Sequence, residues 1–276
     1  MRAEEPTSMF CVLGDPRRRI LFRNAIVRKP GRNFSEGLTM GRLGVPSYEK
    51  ALEQHLGYCR ALELCGLRVT KLEADLQHPD ATFVEDTAIL TRDSAILTRP
   101  GAKSREGEVA EIREPLGRLY GTFHHIRAPG TLDGGDVCQA ENHFFIGISR
   151  RTNEEGAHQL AALLARQGHA SSFVDIRGRN NILHLKSGLA YIGNNRLVVN
   201  EELSGHVEFG GYSLVRVNAE ENYAANCLRL NERVLVPAGF PGLEDSLQRL
   251  GYAVFPLDMS EFEKMDGGLS CLSLRF

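Results

Sequence analysis

A chain of 276 residues with 42% hydrophobic and 25% charged residues and a formal net charge of −2 has ordinary globular composition and is long enough for one large domain or two small ones. Its Lys and Arg are scattered, so bulk charge gives no reason to expect nucleic acid or an anionic membrane as partner. The six cysteines, Cys11, Cys59, Cys65, Cys138, Cys227 and Cys271, form no C-x-x-C pair and no zinc or disulfide spacing, which predicts reduced thiols buried mostly as small hydrophobes.

The opening "MRAEEPTSMFCVLGDPRRRILFRN" mixes acids, Pro and a run of Arg. It lacks the apolar core of a signal peptide or membrane span and reads as a loose N-terminal extension of a cytoplasmic protein. Next, "SYEKALEQHLGYCRALELCGLRVTKL" places Tyr48, Leu52, Leu56, Cys59 and Leu62 on one helical face, stops at Gly66 and passes into a strand. The same helix, glycine and strand return at Gly168 in "LLARQGHASSFVDI" and at Gly251 in "SLQRLGYAVFPLDM". Weaker versions lie at Gly121 in "PLGRLYGTFHHI" and Gly211 in "HVEFGGYSLVRV". Units recurring about every 40 to 55 residues are too short to fold alone, so they predict a repeat architecture in which each buries its apolar face against its neighbours.

Between the units, "TAILTRDSAILT", "HFFIGIS" and "LAYIGNNRLVV" read as strand pairs with turns between them. No G-x-G-x-x-G or Walker A run stands in a strand-to-helix position, which argues against a doubly wound nucleotide-binding sheet. The pairs Gly134-Gly135, Gly210-Gly211 and Gly267-Gly268 read by default as turn signals.

Four segments place polar chemistry where an ordinary strand would not: "HPDATFVEDTAIL", "TLDGGDVCQ", "NNILHLKSG" and the tail "MDGGLSCLSLRF". If Glu85 and Asp86 lie on a strand, they face opposite sides and at least one points inward, where a carboxylate needs a cation or donors. Taken singly, the acids read as solvated strand ends or turn residues and His184 as a satisfied core histidine. Together they supply a thiol, an imidazole and carboxylates with no G-x-S-x-G motif, the set from which covalent thiol catalysis is built. Cys271 is the preferred nucleophile because the Gly267-Gly268 turn permits close backbone approach, whereas Cys59 and Cys65 belong to a helix.

At these residues the sequence resembles the dimethylarginine dimethylaminohydrolases of the guanidino-group modifying superfamily. The resemblance runs from about Phe22 to Phe276 and is carried by "EGLT", "FVEDTAILT", "AILTRPGAKSREGEV", "TLDGGDV", "ISRRTNEEGA", "LHLKSGLAYI", "ENYAANC", "PAGFP" and "DGGLSCLSLRF". It implies a five-bladed α/β propeller (pentein fold): one catalytic domain over residues 22–276 behind an extension over 1–21. It further implies Cys271 as nucleophile, His184 as general acid and base, and Asp133 as the carboxylate orienting it. Asp86 would hold a substrate guanidinium, with Glu85 and Asp80 in the acidic pocket. Arg105 and Arg151 would receive the substrate's α-carboxylate, and Leu38, in a lid loop "GRNFSEGLTMGRLG", and Met265 would complete the pocket.

The implied reaction is hydrolysis of methylated arginine to citrulline and an amine, with no metal or organic cofactor, although the cysteine, histidine and carboxylates could take up inhibitory Zn²⁺. The implied partner is a small-molecule substrate, and the enzyme is expected to be a homodimer. Two alternatives stand beside it: an arginine deiminase-like or other guanidine hydrolase using the same chemistry, and a non-catalytic binder of cationic amino acids.

Overall fold

Each helix, glycine and strand unit closes on a short antiparallel strand pair, and this happens five times around the computed structural model, which describes residues 21–40, 43–179 and 181–276. Thus the N-terminal extension lies outside the described residues except for Leu21, as do Gly41 and Arg42 of the expected lid loop. The strands are β1 (Asn24–Arg28), β2 (Arg68–Leu72), β3 (Ala88–Leu90), β4 (Ala95–Leu97), β5 (Phe123–His125), β6 (Val137–Ala140), β7 (His143–Ile148), β8 (Ala170–Asp175), β9 (Leu189–Gly193), β10 (Arg196–Val199), β11 (Ser213–Arg216), β12 (Leu228–Leu230), β13 (Arg233–Pro237), β14 (Ala253–Leu257) and β15 (Leu274–Arg275).

They form separate three-stranded sheets, β3-β4-β5, β6-β7-β8, β9-β10-β11, β12-β13-β14 and β15-β1-β2. In each sheet the first pair is antiparallel and the second parallel. Parallel neighbours need a crossover. Helices α1 (Tyr48–Leu64), α2 (Glu108–Gly117), α3 (Glu154–Arg166) and α4 (Pro241–Arg249) supply it in four sheets, and a short 3-10 turn, Val207–Phe209, in the fifth. This is the five-bladed α/β propeller that the family resemblance implies. The tail strand β15 completes the blade that β1 begins, pairing Ile26 with Leu274.

The middle strand of every blade is buried on both faces: Ala25, Ile26 and Val27; Ala95, Ile96 and Leu97; Phe144, Phe145 and Ile146; Leu197, Val198 and Val199; Val234, Leu235 and Val236. That is why these strands read as continuous apolar runs rather than alternating ones. Burying each such side chain contributes about 1.5–3 kcal/mol.

The helix stops divide as the sequence ranks them. Gly66, Gly168 and Gly251 adopt positive φ (+89°, +78° and +86°), the left-handed helix exit that favours glycine, whereas the weaker Gly121 and Gly211 do not. Ser47 caps α1 through the Lys50 amide at 3.3 Å, and Asn153 caps α3 through the Gly156 amide at 2.8 Å. The buried face of α1 differs from the expected one. It runs through Ala51, Gln54, His55, Tyr58, Cys59 and Leu62, and Leu56 is 51% exposed. Gln54 belongs on the buried side because its amide donates to Ser260 Oγ at 2.9 Å and accepts from the Glu261 amide at 3.0 Å.

Candidate active site

The polar segments are 3-10 turns rather than strands, and each leads into the first strand of a blade. Val84–Thr87 precedes β3, Gly134–Asp136 precedes β6, Leu185–Ser187 precedes β9, Ala219–Ala225 precedes β12 and Ser270–Leu272 precedes β15. The turns touch one another in succession, before β15 to before β3, β3 to β6, β6 to β9 and β9 to β12. All the expected site residues except Asp133 and Glu85 line one small cavity of about 30 Å³, with Phe83, Leu183, Asp266 and Gly267. A larger cavity of about 160 Å³ contains Cys138 and Cys227 but has no histidine in its lining. Burial pushes those two thiols up to about 11 and about 12.

His184 and Asp133 form the central pair: Nε2 meets Asp133 Oδ2 at 2.9 Å, with His184 only 7% exposed and Asp133 wholly buried. Asp133 Oδ1 accepts the Gly101 amide at 2.8 Å. Burial alone would raise the Asp133 carboxyl, but the hydrogen bond and charge of His184 outweigh it and hold it below the ordinary value. Burial likewise opposes the imidazolium, but the carboxylates of Asp86, Asp133 and Asp136 raise His184 to about 9. With Nε2 held by Asp133, Nδ1 is the nitrogen left for proton transfer.

Cys271 is half-buried. Its Sγ accepts from the Gly268 amide at 3.4 Å and lies 3.9 Å from Asn226 Nδ2, while Asn226 Oδ1 accepts the Ser270 amide at 3.0 Å. Burial, followed by the negative charges of Glu85 and Asp86, pushes the thiol up to about 12.

Asp86 accepts from Arg105 Nη1 at 2.6 Å through Oδ2 and from the Gly135 amide at 2.7 Å through Oδ1. Asp80 accepts the Leu38 amide at 3.0 Å and 3.2 Å, which ties the expected lid loop to the pocket floor, and burial raises its carboxyl despite nearby Arg105. The same loop is latched by Met40 N donating to Asp266 Oδ2 at 2.6 Å and by Thr39 Oγ1 donating to the Lys264 carbonyl at 2.8 Å.

Two expectations change. Glu85 does not line the pocket; the 3-10 turn sends it to the far side, where Oε1 meets Lys186 and Arg275, each at 2.7 Å, and Oε2 accepts from Ser270 Oγ at 2.8 Å. Arg105 is already committed to protein carboxylates: Nε donates to Glu108 at 2.9 Å and 3.1 Å, Nη2 to Glu108 at 2.7 Å and Nη1 to Asp86. Arg151 lines the pocket beside it.

Sequence reading also passed over residues that hold the set together. Asp136, wholly buried, accepts from Ser149 Oγ and Thr152 Oγ1, both at 2.7 Å, and from the Leu185 amide at 2.9 Å, fixing the backbone next to His184. Gly134 and Gly135 are more than turn formers: a Cβ on Gly134 would lie 1.9 Å from the Glu85 carbonyl, and one on Gly135 2.7 Å from His184 Nδ1. The i, i+3 spacing of Arg105 and Glu108 was the available signal for their pairing.

Asp86, Asp133 and His184 offer ligand atoms within 4.8 Å of one another. The same side chains hydrogen-bond to Arg105, to the Gly135 and Gly101 amides and, for His184 and Asp133, to each other.

Comparisons with known proteins agree with this geometry. The arginine deiminase family model matches residues 79–209. The N(G),N(G)-dimethylarginine dimethylaminohydrolase of Pseudomonas aeruginosa is 46% identical over 257 residues, covering 93% of this chain and 100% of that protein. The protein of the same name from Streptomyces coelicolor is 32% identical over 258 residues, covering 92% and 96%. A solved structure of a cysteine-to-serine mutant of the P. aeruginosa protein, complexed with citrulline, matches with a TM-score of 0.90 at 46% identity, covering 93% of this chain and 100% of that one. The chain belongs to the dimethylarginine dimethylaminohydrolase family.

Proposed function

We propose that this protein hydrolyses N-ω-methylated arginines, asymmetric dimethylarginine and monomethylarginine, to citrulline and dimethylamine or methylamine. The observation that carries the reading is the buried His184–Asp133 pair at 2.9 Å, with His184 and Cys271 lining one pocket whose acids are Asp80, Asp86 and Asp266. A guanidinium is planar and cationic. Asp86 can hold it because a carboxylate has about four lone-pair sites and only two are taken by Arg105 and Gly135. Arg151 receives the substrate's α-carboxylate, with the remaining hydrogen of Arg105 Nη1 beside it. Leu38, its amide held by Asp80, offers its carbonyl to the α-ammonium, and Met265 packs against the substrate's aliphatic chain.

The thiolate of Cys271 adds to the guanidinium carbon, forming the C–S bond. His184 delivers a proton from Nδ1 to the departing nitrogen as the C–N bond breaks, leaving a thiouronium on Cys271. His184 then takes a proton from water, whose oxygen attacks the same carbon; the C–S bond breaks and citrulline leaves. One acid-base group of this kind contributes about 10²–10⁴-fold.

Ligand pockets are commonly about 300 Å³ or larger. The cavity of about 30 Å³ therefore requires the Leu38–Met40 latch to open before substrate enters. Side chains from before β3 (Asp86), before β9 (His184) and before β15 (Cys271) line this one pocket, which supports reading residues 22–276 as one catalytic domain. Among the described residues, no helix is long and apolar enough to cross a membrane. A cytoplasmic homodimer remains the reading carried by the family.

The test is mass spectrometry of wild type and Cys271→Ser incubated with asymmetric dimethylarginine. Release of citrulline and dimethylamine by wild type alone is the expected result. The match to the arginine deiminase model favours a second reading, deimination of free arginine. Ammonia from arginine with nothing from the methylated substrates would select it.

A further inference from the structure

Each loop that brings a reactive group to the pocket sends a neighbouring residue to its far side. Glu85 stands beside Asp86, Lys186 two residues after His184, and Ser270 beside Cys271; all three line the rear cavity of about 160 Å³. Glu85 is 3% exposed and carries one negative charge, yet it meets two cations, Lys186 Nζ and Arg275 Nη2. Arg275 also donates through Nη1 to the Ser270 carbonyl at 2.8 Å and to the carbonyl and Oγ of Ser273 at 2.7 Å and 2.8 Å. The turn bearing the nucleophile is thus gripped from behind by an ion cluster with one positive charge in excess.

We propose that Lys186 is a positioning residue that, through Glu85, governs how readily the Cys271 thiol ionises, and that Arg275 is the clamp holding Glu85 and Ser270 in register. The proposal deepens the hydrolase reading and rests on it for the role of Cys271. Ion pairs largely withdrawn from water, like those of buried Glu85 with half-buried Lys186 and Arg275, carry more weight than exposed ones because screening by water and salt is weaker there. Other charged or titratable groups around the thiol are Asp86 on the Glu85 turn, His184 on the Lys186 turn, Asp266 in the preceding turn, and Tyr223, whose hydroxyl donates to the Gly267 carbonyl at 2.8 Å. Burial and the negative charge of Glu85 raise the thiol, and Lys186 opposes them. The sign of each charge therefore predicts the sign of each variant's effect.

The experiment measures alkylation of Cys271 by iodoacetamide in substrate-free protein from pH 7 to 9, read on the C-terminal peptide. The thiolate sulfur forms a bond to carbon while the C–I bond breaks and iodide leaves. Below the thiol's titration the rate rises about tenfold per pH unit, so a shift of one unit reads as about a tenfold change in rate at fixed pH. Lys186→Met should slow alkylation about tenfold, Glu85→Gln should speed it by a similar factor, and Lys186→Arg should stay within about threefold of wild type. In turnover, Lys186→Met should lower kcat with KM changed less than about threefold.

Equal alkylation rates in Lys186→Met and Glu85→Gln, or a slowing in both, would reduce the cluster to a structural role and overturn the proposal. If Lys186→Met fails to fold, Glu85→Gln, which preserves shape and the contact to Ser270, decides the matter alone. Alkylation needs no substrate. Absence of citrulline release in wild type would therefore sink the hydrolase reading without touching this result.

Discussion

Gly135→Ala should abolish most turnover while leaving the fold in place. A Cβ at this position would sit 2.7 Å from His184 Nδ1, 2.8 Å from its Cγ and 2.9 Å from Asp86 Oδ1. Ordinary van der Waals contact begins near 3.4 Å, so the imidazole must retreat by roughly 0.7 Å. A shift of that size disturbs the 2.9 Å His184–Asp133 hydrogen bond, whose productive distance range is only a few tenths of an ångström wide. A misplacement of about 1 Å costs about 10²-fold, so kcat/KM should fall by about that factor or more. Overpacking should cost about 1–3 kcal/mol of stability. Citrulline release and thermal unfolding are measured together, with Gly211→Ala as control because its added Cβ meets nothing within 4 Å. A Gly135→Ala protein with wild-type kcat/KM would show that His184 does not work from the position described.

Gly37→Ala would put a Cβ 2.5 Å from Asp80 Oδ1; it should loosen the latch at Leu38 and raise KM about tenfold while kcat moves less than about threefold. His184, raised to about 9 from an unfolded value of 6.5, contributes stability that is complete below pH 6.5 and lost as pH rises through about 9; urea unfolding from pH 6 to 10 should show the loss in wild type and not in His184→Gln. Asp136 behaves in the opposite sense to a usual salt-bridged acid: burial raises it to about 6, so the fold loses stability as pH rises from 3.8 through about 6, and Asp136→Asn should flatten that slope. Tyr58→Phe removes a fully buried hydroxyl bonded to Ser273 Oγ at 2.6 Å and should cost about 1 kcal/mol in denaturant unfolding.

The repeat was legible because helix stops and apolar middle strands are written locally: three glycines with positive φ mark three crossovers, and doubly buried strands show as unbroken apolar runs. The blade with Val207–Phe209 in place of an α-helix was legible only as a weak unit, since its crossover has no helical periodicity to read. The inward polar residues were legible as exceptions to that pattern, but their directions were not. A strand would have sent Glu85 and Asp86 to opposite faces by alternation; the 3-10 turn instead separates them between the pocket and the rear cavity. Arg105 looked like a free ligand for substrate because its partners, Asp86 and Glu108, meet it only after the blade folds. Asp136 looked like a turn residue, and nothing in "TLDGGDV" reveals that its acceptor sites serve the loop carrying His184.

The charges of the site share one origin and one consequence. Burial penalises every ion here, but the carboxylates of Asp86, Asp133 and Asp136 overcome it at His184 and favour the imidazolium, while burial with Glu85 and Asp86 disfavours the Cys271 thiolate. In the reaction proposed above, these opposite biases make the thiol a poor nucleophile until positive charge arrives. In that proposed reaction a guanidinium entering against Asp86 would supply the charge next to the sulfur, so the group to be attacked would also favour ionisation of its attacker. Indiscriminate thiol chemistry is suppressed for the same reason. The product's ureido group is neutral; once it forms, the attraction that drew the cation in is lost, and the potential that selects substrate also assists release of citrulline.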